Sequence, residues 1–151
     1  MATRVTQLLA SQLLALGKNV ESFAAEFSHW KASGDRGEYG SYLFGKDGAY
    51  TRPLVNGQKD VLRHVHLVPL NDPNPKAQSL WDTNWRFRRR KTSNRVLVYA
   101  SDRQYGHLLM LILNEPDAHD IAEMKTEPHR ILMLKLAAVA EAFIYTGKIT
   151  A

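Results

Sequence analysis

The stretch Val96–Leu113, VLVYASDRQYGHLLMLIL, decides the fold. Val96 to Ser101 is rich in β-formers, Ser101 to Gly106 (SDRQYG) carries turn residues, and His107 to Leu113 resumes as an apolar run. That order predicts two antiparallel strands joined by a tight connection. Leu108 to Leu113 are all apolar, so this strand needs cover on both faces and belongs inside the sheet. The partner strand is mixed: Val96, Val98 and Ala100 share one face, while Arg95, Leu97 and Tyr99 share the other, which is expected to carry functional groups.

Upstream, Val61 to Pro69 (VLRHVHLVP) reads as a further strand ended by proline, with His64 and His66 on one side of it. Gly34 to Lys59 is rich in glycine and polar residues around Tyr42, Leu43, Phe44, Tyr50 and Leu54, and reads as a loop with room for one short strand. Thr3 to Leu16 place Val5, Leu8, Leu9, Leu13 and Leu16 near one helical face, with Gly17 as the stop. Asn19 caps a second helix bearing Phe23, Phe27 and Trp30, which Ser33 and Gly34 end. These two form a hairpin whose apolar stripes read as core.

Downstream, Asn71 to Pro75 is a turn-rich connection into a basic stretch that reads as a strand or a long hairpin arm. Beyond Glu115-Pro116 a short helix runs to about Lys125. Pro128 then sits in the first turn of a final helix reaching about Tyr145, with Gly147 as its stop. Ile131, Leu134, Leu136, Ala138, Val139, Ala142 and Phe143 give that helix a broad apolar face for the sheet. The predicted architecture is α+β: an N-terminal helical hairpin, a mainly antiparallel sheet of three to four strands, and C-terminal helices, in one domain spanning 1–151.

Apolar and charged fractions of 44% and 23% over 151 residues are those of a soluble globular protein. The chain has no cysteine, which excludes disulfides, thiol nucleophiles and Cys-ligated zinc or iron–sulfur sites, and makes the cytoplasm the expected compartment. Thr6, Gln7, Ser11 and Gln12 interrupt the leucine-rich N-terminus, which therefore reads as an amphipathic helix rather than a leader. No apolar run approaches membrane-spanning length.

The charge is local. Asn84 to Arg95 (NWRFRRRKTSNR) holds Arg86, Arg88, Arg89, Arg90, Lys91 and Arg95 without an acid, and outside these six the remaining 14 Lys+Arg face 15 Asp+Glu. Trp85 and Phe87 interleave the cations, a combination suited to RNA or single-stranded DNA; a solvated loop or an acidic protein partner fits the same stretch.

No P-loop, GxGxxG turn, GxSxG elbow or HExxH helix is present. Instead there are His64, His66, His107, His119 and His129, with Tyr99, Tyr105 and the arginine cluster. Cleavage of RNA by its own 2′-hydroxyl needs a base, an acid, and positive charge where the phosphorane develops. Histidine and arginine supply these, and the reaction needs neither metal nor cofactor. A structural role for His64 and His66 is the competing reading; a zinc site with His107 or His119 as third ligand is a weaker one, because nothing else fixes a ligand set.

Several segments together resemble the YafO family of bacterial type II toxins: Phe44-Gly45-Lys46-Asp47, Pro53-Leu54, His64-Val65-His66-Leu67, Leu97-Val98-Tyr99, Glu115-Pro116-Asp117-Ala118-His119 and Ala140-Glu141-Ala142-Phe143, in that order. The resemblance implies a toxin encoded with an antitoxin, acting as an mRNA endonuclease on translating ribosomes, with a fold related to the RelE/ParE toxins. The motif positions able to do chemistry are His64, His66, Tyr99 and His119. The N-terminal region and the insert Asn84 to Lys91 look longer and more basic than the family pattern.

The residues expected to be catalytic are accordingly His64, His66, Tyr99, Arg88, Arg90, Arg95 and His119. RNA binding is expected from Trp85, Arg86, Phe87, Arg88, Arg89, Arg90 and Lys91, and no metal ligands are assigned. Ribosome, mRNA and antitoxin are the expected partners, the antitoxin laying an acidic segment across the basic groove. A gyrase-blocking toxin of the same fold and a plain RNA-binding module are the rival functions.

Overall fold

The computed structural model describes residues 1–151, apart from the side chains of residues 35–37. In chain order the elements are β1 (Thr3–Val5), α1 (Gln7–Ala15), α2 (Val20–Ala32), a 3-10 turn (Gly34–Tyr39), β2 (Phe44–Ala49) and β3 (Arg63–Leu67). They are followed by α3 (Ala77–Arg86), β4 (Val96–Asp102), β5 (Gly106–Leu113), α4 (Ala118–Ala122) and α5 (Glu127–Thr146). The class is α+β. Among the described residues the sheet has five strands in the order β1-β5-β4-β3-β2. It is antiparallel except where β1 joins β5 in parallel.

The β4–β5 hairpin lies inside the sheet, as its apolar runs require, with helices on both faces. On one face Leu9 and Leu13 of α1 and Phe23, Phe27 and Trp30 of α2 pack on Phe44, Val65, Leu67, Leu97, Tyr99, Leu109 and Ile112. On the other, Met133, Leu136, Ala137, Val139, Ala140 and Phe143 of α5 pack on Val96, Val98, Ala100, Leu108, Met110 and Leu113. Val98 lies opposite Leu111 but Tyr99 opposite Leu109, so Met110 is an extra residue on β5.

Four expectations are corrected. The N-terminal helix does not begin at Thr3: Thr3–Val5 form β1 on the free edge of β5, pairing Thr3 with His107 and Val5 with Leu109, which raises the strand count to five. The Thr6 side chain then starts α1 by accepting from Leu9 N at 3.1 Å, and its hydroxyl donates to Met110 O at 2.6 Å. Past β1, Gln12 takes over the β5 edge: its amide donates to Ile112 O at 2.9 Å and accepts from Ile112 N at 2.8 Å.

The predicted loop from Gly34 to Lys59 contains the 3-10 turn as well as β2. The basic stretch is neither strand nor hairpin arm; α3 occupies its first part and a loop the rest. Ala77, Trp81 and Trp85 recur every four residues along this otherwise polar helix, and Trp81 anchors it, fully buried and donating from Nε1 to Tyr42 O at 2.8 Å. Finally, Ile131, Leu134 and Ala138 of α5 are exposed rather than turned to the sheet. The buried phase follows Met133, Leu136, Ala137, Ala140 and Phe143, where the alanines let the helix lie close to the sheet.

Asn19 caps α2, accepting from Ser22 N at 2.8 Å, and Gly147 closes α5 in the left-handed region at φ 74°, both as predicted. Among the described residues no helix is long and apolar enough to cross a membrane.

Candidate active site

Strand β3 alternates, sending Val65 and Leu67 into the hairpin-side core and His64 and His66 to the other face. There the two imidazoles, with centroids 5.8 Å apart, share a small cleft of about 80 Å³ with Tyr50, Ser93, Asn94 and His119. His64 stacks on Tyr50 at 4.1 Å with 14° between planes, and its buried Nδ1 has no hydrogen-bond partner among the described residues. The His66 Nδ1 lies 2.9 Å from Ser93 N and 2.7 Å from Ser93 O. Ser93 thus offers this nitrogen both a donor and an acceptor, and can hold either tautomer or the protonated ring.

His119 enters from α4. Its backbone N–H donates to Asn94 Oδ1 at 3.1 Å, Asn94 Nδ2 donates to Pro116 O, and Nε2 lies 2.7 Å from Glu123 Oε1 one turn on. Asn94 therefore ties α4 to the loop before β4 and presents His119 to the cleft.

Lys46 lies on the adjacent strand. The β2–β3 register slips between Phe44 and Asp47, and at this irregularity Lys46 N donates to Lys91 O at 2.8 Å while its side chain is exposed. Gly45 permits that approach: a Cβ there would lie 2.3 Å from Lys91 O and 2.9 Å from Trp81.

Burial is the main influence on both imidazoles. It pushes His64 down to about 4, with the neighbouring His66 and the Lys46 ammonium acting in the same direction and Asp47 opposing. His66 is lowered by burial too, against the Ser93 hydrogen bond and with help from Lys46 and His119. At neutral pH both rings are uncharged, each with one nitrogen able to accept a proton.

Tyr99 is not in this cleft. It points to the opposite face, fully buried, where its hydroxyl donates to Asp47 Oδ1 at 2.5 Å and accepts from Lys31 Nζ at 2.9 Å and Arg63 Nε at 3.1 Å. Lys31 and Arg63 also reach Asp47 Oδ2 at 2.6 and 3.4 Å. Burial first, then Asp47, raises the Tyr99 hydroxyl above its ordinary value. His107 faces the hairpin side as well, edge-on to Phe27 at 5.4 Å and 2.6 Å from Ser101 Oγ, so it cannot join His64 and His66 around a metal.

The basic stretch divides. Arg86, Arg88 and Arg89 are exposed, together with Trp85 and Phe87; the Arg89 guanidinium lies over the Phe87 ring at 5.3 Å. Arg90 is also at the surface but is paired with Glu38 at 2.8 Å. Lys91 is 1% exposed, its ammonium 5.6 and 5.2 Å from the Trp81 and Trp85 rings and lowered to about 8 by burial. Arg95 is 4% exposed, donating to Val68 O at 3.1 Å and Asn114 Oδ1 at 3.2 Å, and ties β3, β4 and β5 together. Lys91 and Arg95 are therefore internal braces, not part of a surface for RNA. From the arginines the chain passes Lys46 at Lys91 and enters the cleft at Ser93 and Asn94.

The family model described as Toxin YafO, type II toxin-antitoxin system, matches residues 28–145. The chain belongs to the YafO toxin family. It is thus the toxin of a type II system, whose partner is a cognate antitoxin. No curated protein and no solved structure matches it. The YafO match begins inside α2 and contains every residue of the histidine cleft; β1 and α1 lie outside it.

Sequence reasoning singled out three of the cleft histidines but gave no role to Lys46, Tyr50, Ser93, Asn94 or Glu123. Lys46 stood within a quoted motif, and the i, i+4 spacing of His119 and Glu123 was readable on a helix. Nothing local marked Ser93 and Asn94, which reach the cleft only through the path of the loop.

Proposed function

We propose that this toxin is a ribosome-dependent mRNA endonuclease that inhibits translation in the cytoplasm, cutting RNA through its own 2′-hydroxyl. The observation that carries the reading is the convergence of His64, His66 and His119 on one cleft beside Lys46. His66 acts as the base: with Nδ1–H donating to Ser93 O, the free Nε2 takes the 2′-hydroxyl proton, and the Ser93 carbonyl holds the resulting imidazolium. The 2′-oxygen attacks phosphorus, and the P–O5′ bond breaks. His119 gives its proton to the leaving 5′-oxygen, the products being a 2′,3′-cyclic phosphate and a 5′-hydroxyl. Lys46 faces the phosphorane charge, a task that Arg95 is too deeply buried to perform.

Arg86, Arg88 and Arg89 hold phosphates ahead of the cleft, and Trp85 and Phe87 offer exposed rings to unpaired bases. Tyr99 braces the opposite face of the sheet. Primer extension on a defined mRNA, with and without translating ribosomes, tests this. Cuts are expected only with ribosomes, and His66→Ala should lower the rate by about 100-fold or more. Full activity in a folded His66→Ala variant, or growth arrest with intact mRNA, would refute it.

A further inference from the structure

Outside the cleft, α5 carries a second pattern. Its outer face exposes Ile131, Leu134 and Tyr145 by 58%, 42% and 50%, with Ala138 exposed between them and Ala142 half-buried. Positions 131, 134, 138, 142 and 145 follow the three-and-four spacing of a helix-packing seam, running about 21 Å at 1.5 Å per residue. The core does not use this seam, since α5 meets the sheet through its other face.

We propose that the seam is a homodimer interface: α5 of a second copy crosses it antiparallel, with the twofold axis at Ala138. The sequence is self-complementary about that residue. Seven positions to either side of Ala138, Ile131 meets Tyr145; four to either side, Leu134 meets Ala142; three to either side, exposed Lys135 meets exposed Glu141. The two alanines face each other at the axis, where small side chains permit the closest approach of two helices. Each large apolar residue is thus set against the opposite half of the partner helix, and each lysine against a glutamate, which is what an isologous contact demands. A parallel partner in register would instead set Lys135 beside Lys135 and Glu141 beside Glu141. A single helix face is a small interface, so association is concentration-dependent rather than obligate.

Sedimentation equilibrium of the 151-residue chain tests this. The mass should rise with concentration from 17.1 kDa toward twice that value. Ala138→Glu, which sets two carboxylates together on the axis, should abolish the dimer while circular dichroism shows the fold intact. Lys135→Glu and Glu141→Lys should each weaken it several-fold, and the two together should restore it. A monomer at all attainable concentrations, a dimer indifferent to Ala138→Glu, or failure of the double reversal to restore association would overturn the proposal.

Discussion

The half-buried His64 ring makes the fold acid-sensitive by an amount that can be worked out. The folded imidazole takes a proton at about 4 against 6.5 in a free side chain. Between those values the unfolded chain binds the proton and the folded chain does not, so stability is lost as pH falls below 6.5 and levels off only below 4. From pH 7 to pH 5 the linkage relation gives about 2 kcal/mol for an enclosed ring, and about 1–1.5 kcal/mol after allowance for water at the open side of the cleft. Most carboxylates remain ionised over this interval, which isolates the imidazoles. Urea unfolding of the wild type and His64→Gln at both pH values measures the effect. The variant should lose about 1 kcal/mol less stability than the wild type on acidification. Equal losses would show that the His64 proton is held alike in folded and unfolded chains, and would refute the burial argument.

Tyr99→Phe removes a hydroxyl bonded to Asp47, Lys31 and Arg63, and should cost about 2 kcal/mol in chemical denaturation while leaving the histidine cleft intact. Gly45→Ala forces a methyl group against Lys91 O and Trp81; a loss of about 1–3 kcal/mol is expected, read as a lower melting temperature. Replacing exposed Arg86, Arg88 and Arg89 together with Gln should weaken single-stranded RNA binding and flatten its salt dependence, reducing the log–log slope by about 2. Lys91→Gln should leave that slope unchanged, because Lys91 is enclosed by Trp81 and Trp85.

The parts of the fold legible in the sequence were those with strong local periodicity. The apolar run Leu108–Leu113 announced an interior strand, and Phe23, Phe27 and Trp30 announced the buried stripe of α2. Strand β1 was hidden because three residues are too few to show a period, and its existence depends on the free edge of β5 a hundred residues away. Helix α3 was overlooked for a different reason: Ala77, Trp81 and Trp85 do recur every four residues, but they stand in a short, mostly polar segment that runs into the arginine cluster.

At the site, alternation put His64 and His66 on one side, but the face chosen by Tyr99 sent it away from them. Charge counting could not separate Arg86, Arg88 and Arg89, which face solvent, from Lys91 and Arg95, which brace the interior. That separation is made by tertiary contacts with Trp81, Trp85, Val68 and Asn114.

Gln12 holds both backbone groups of Ile112 just beyond the last residue of β1. Its amide does there what another residue of strand would do, ending the ladder with a side chain. Left open, the N–H and C=O of Ile112 would be free to pair with an extended segment from a neighbouring molecule. One glutamine therefore occupies the two backbone groups through which the sheet could be extended there, and it lies on a helix outside the residues shared with the YafO family.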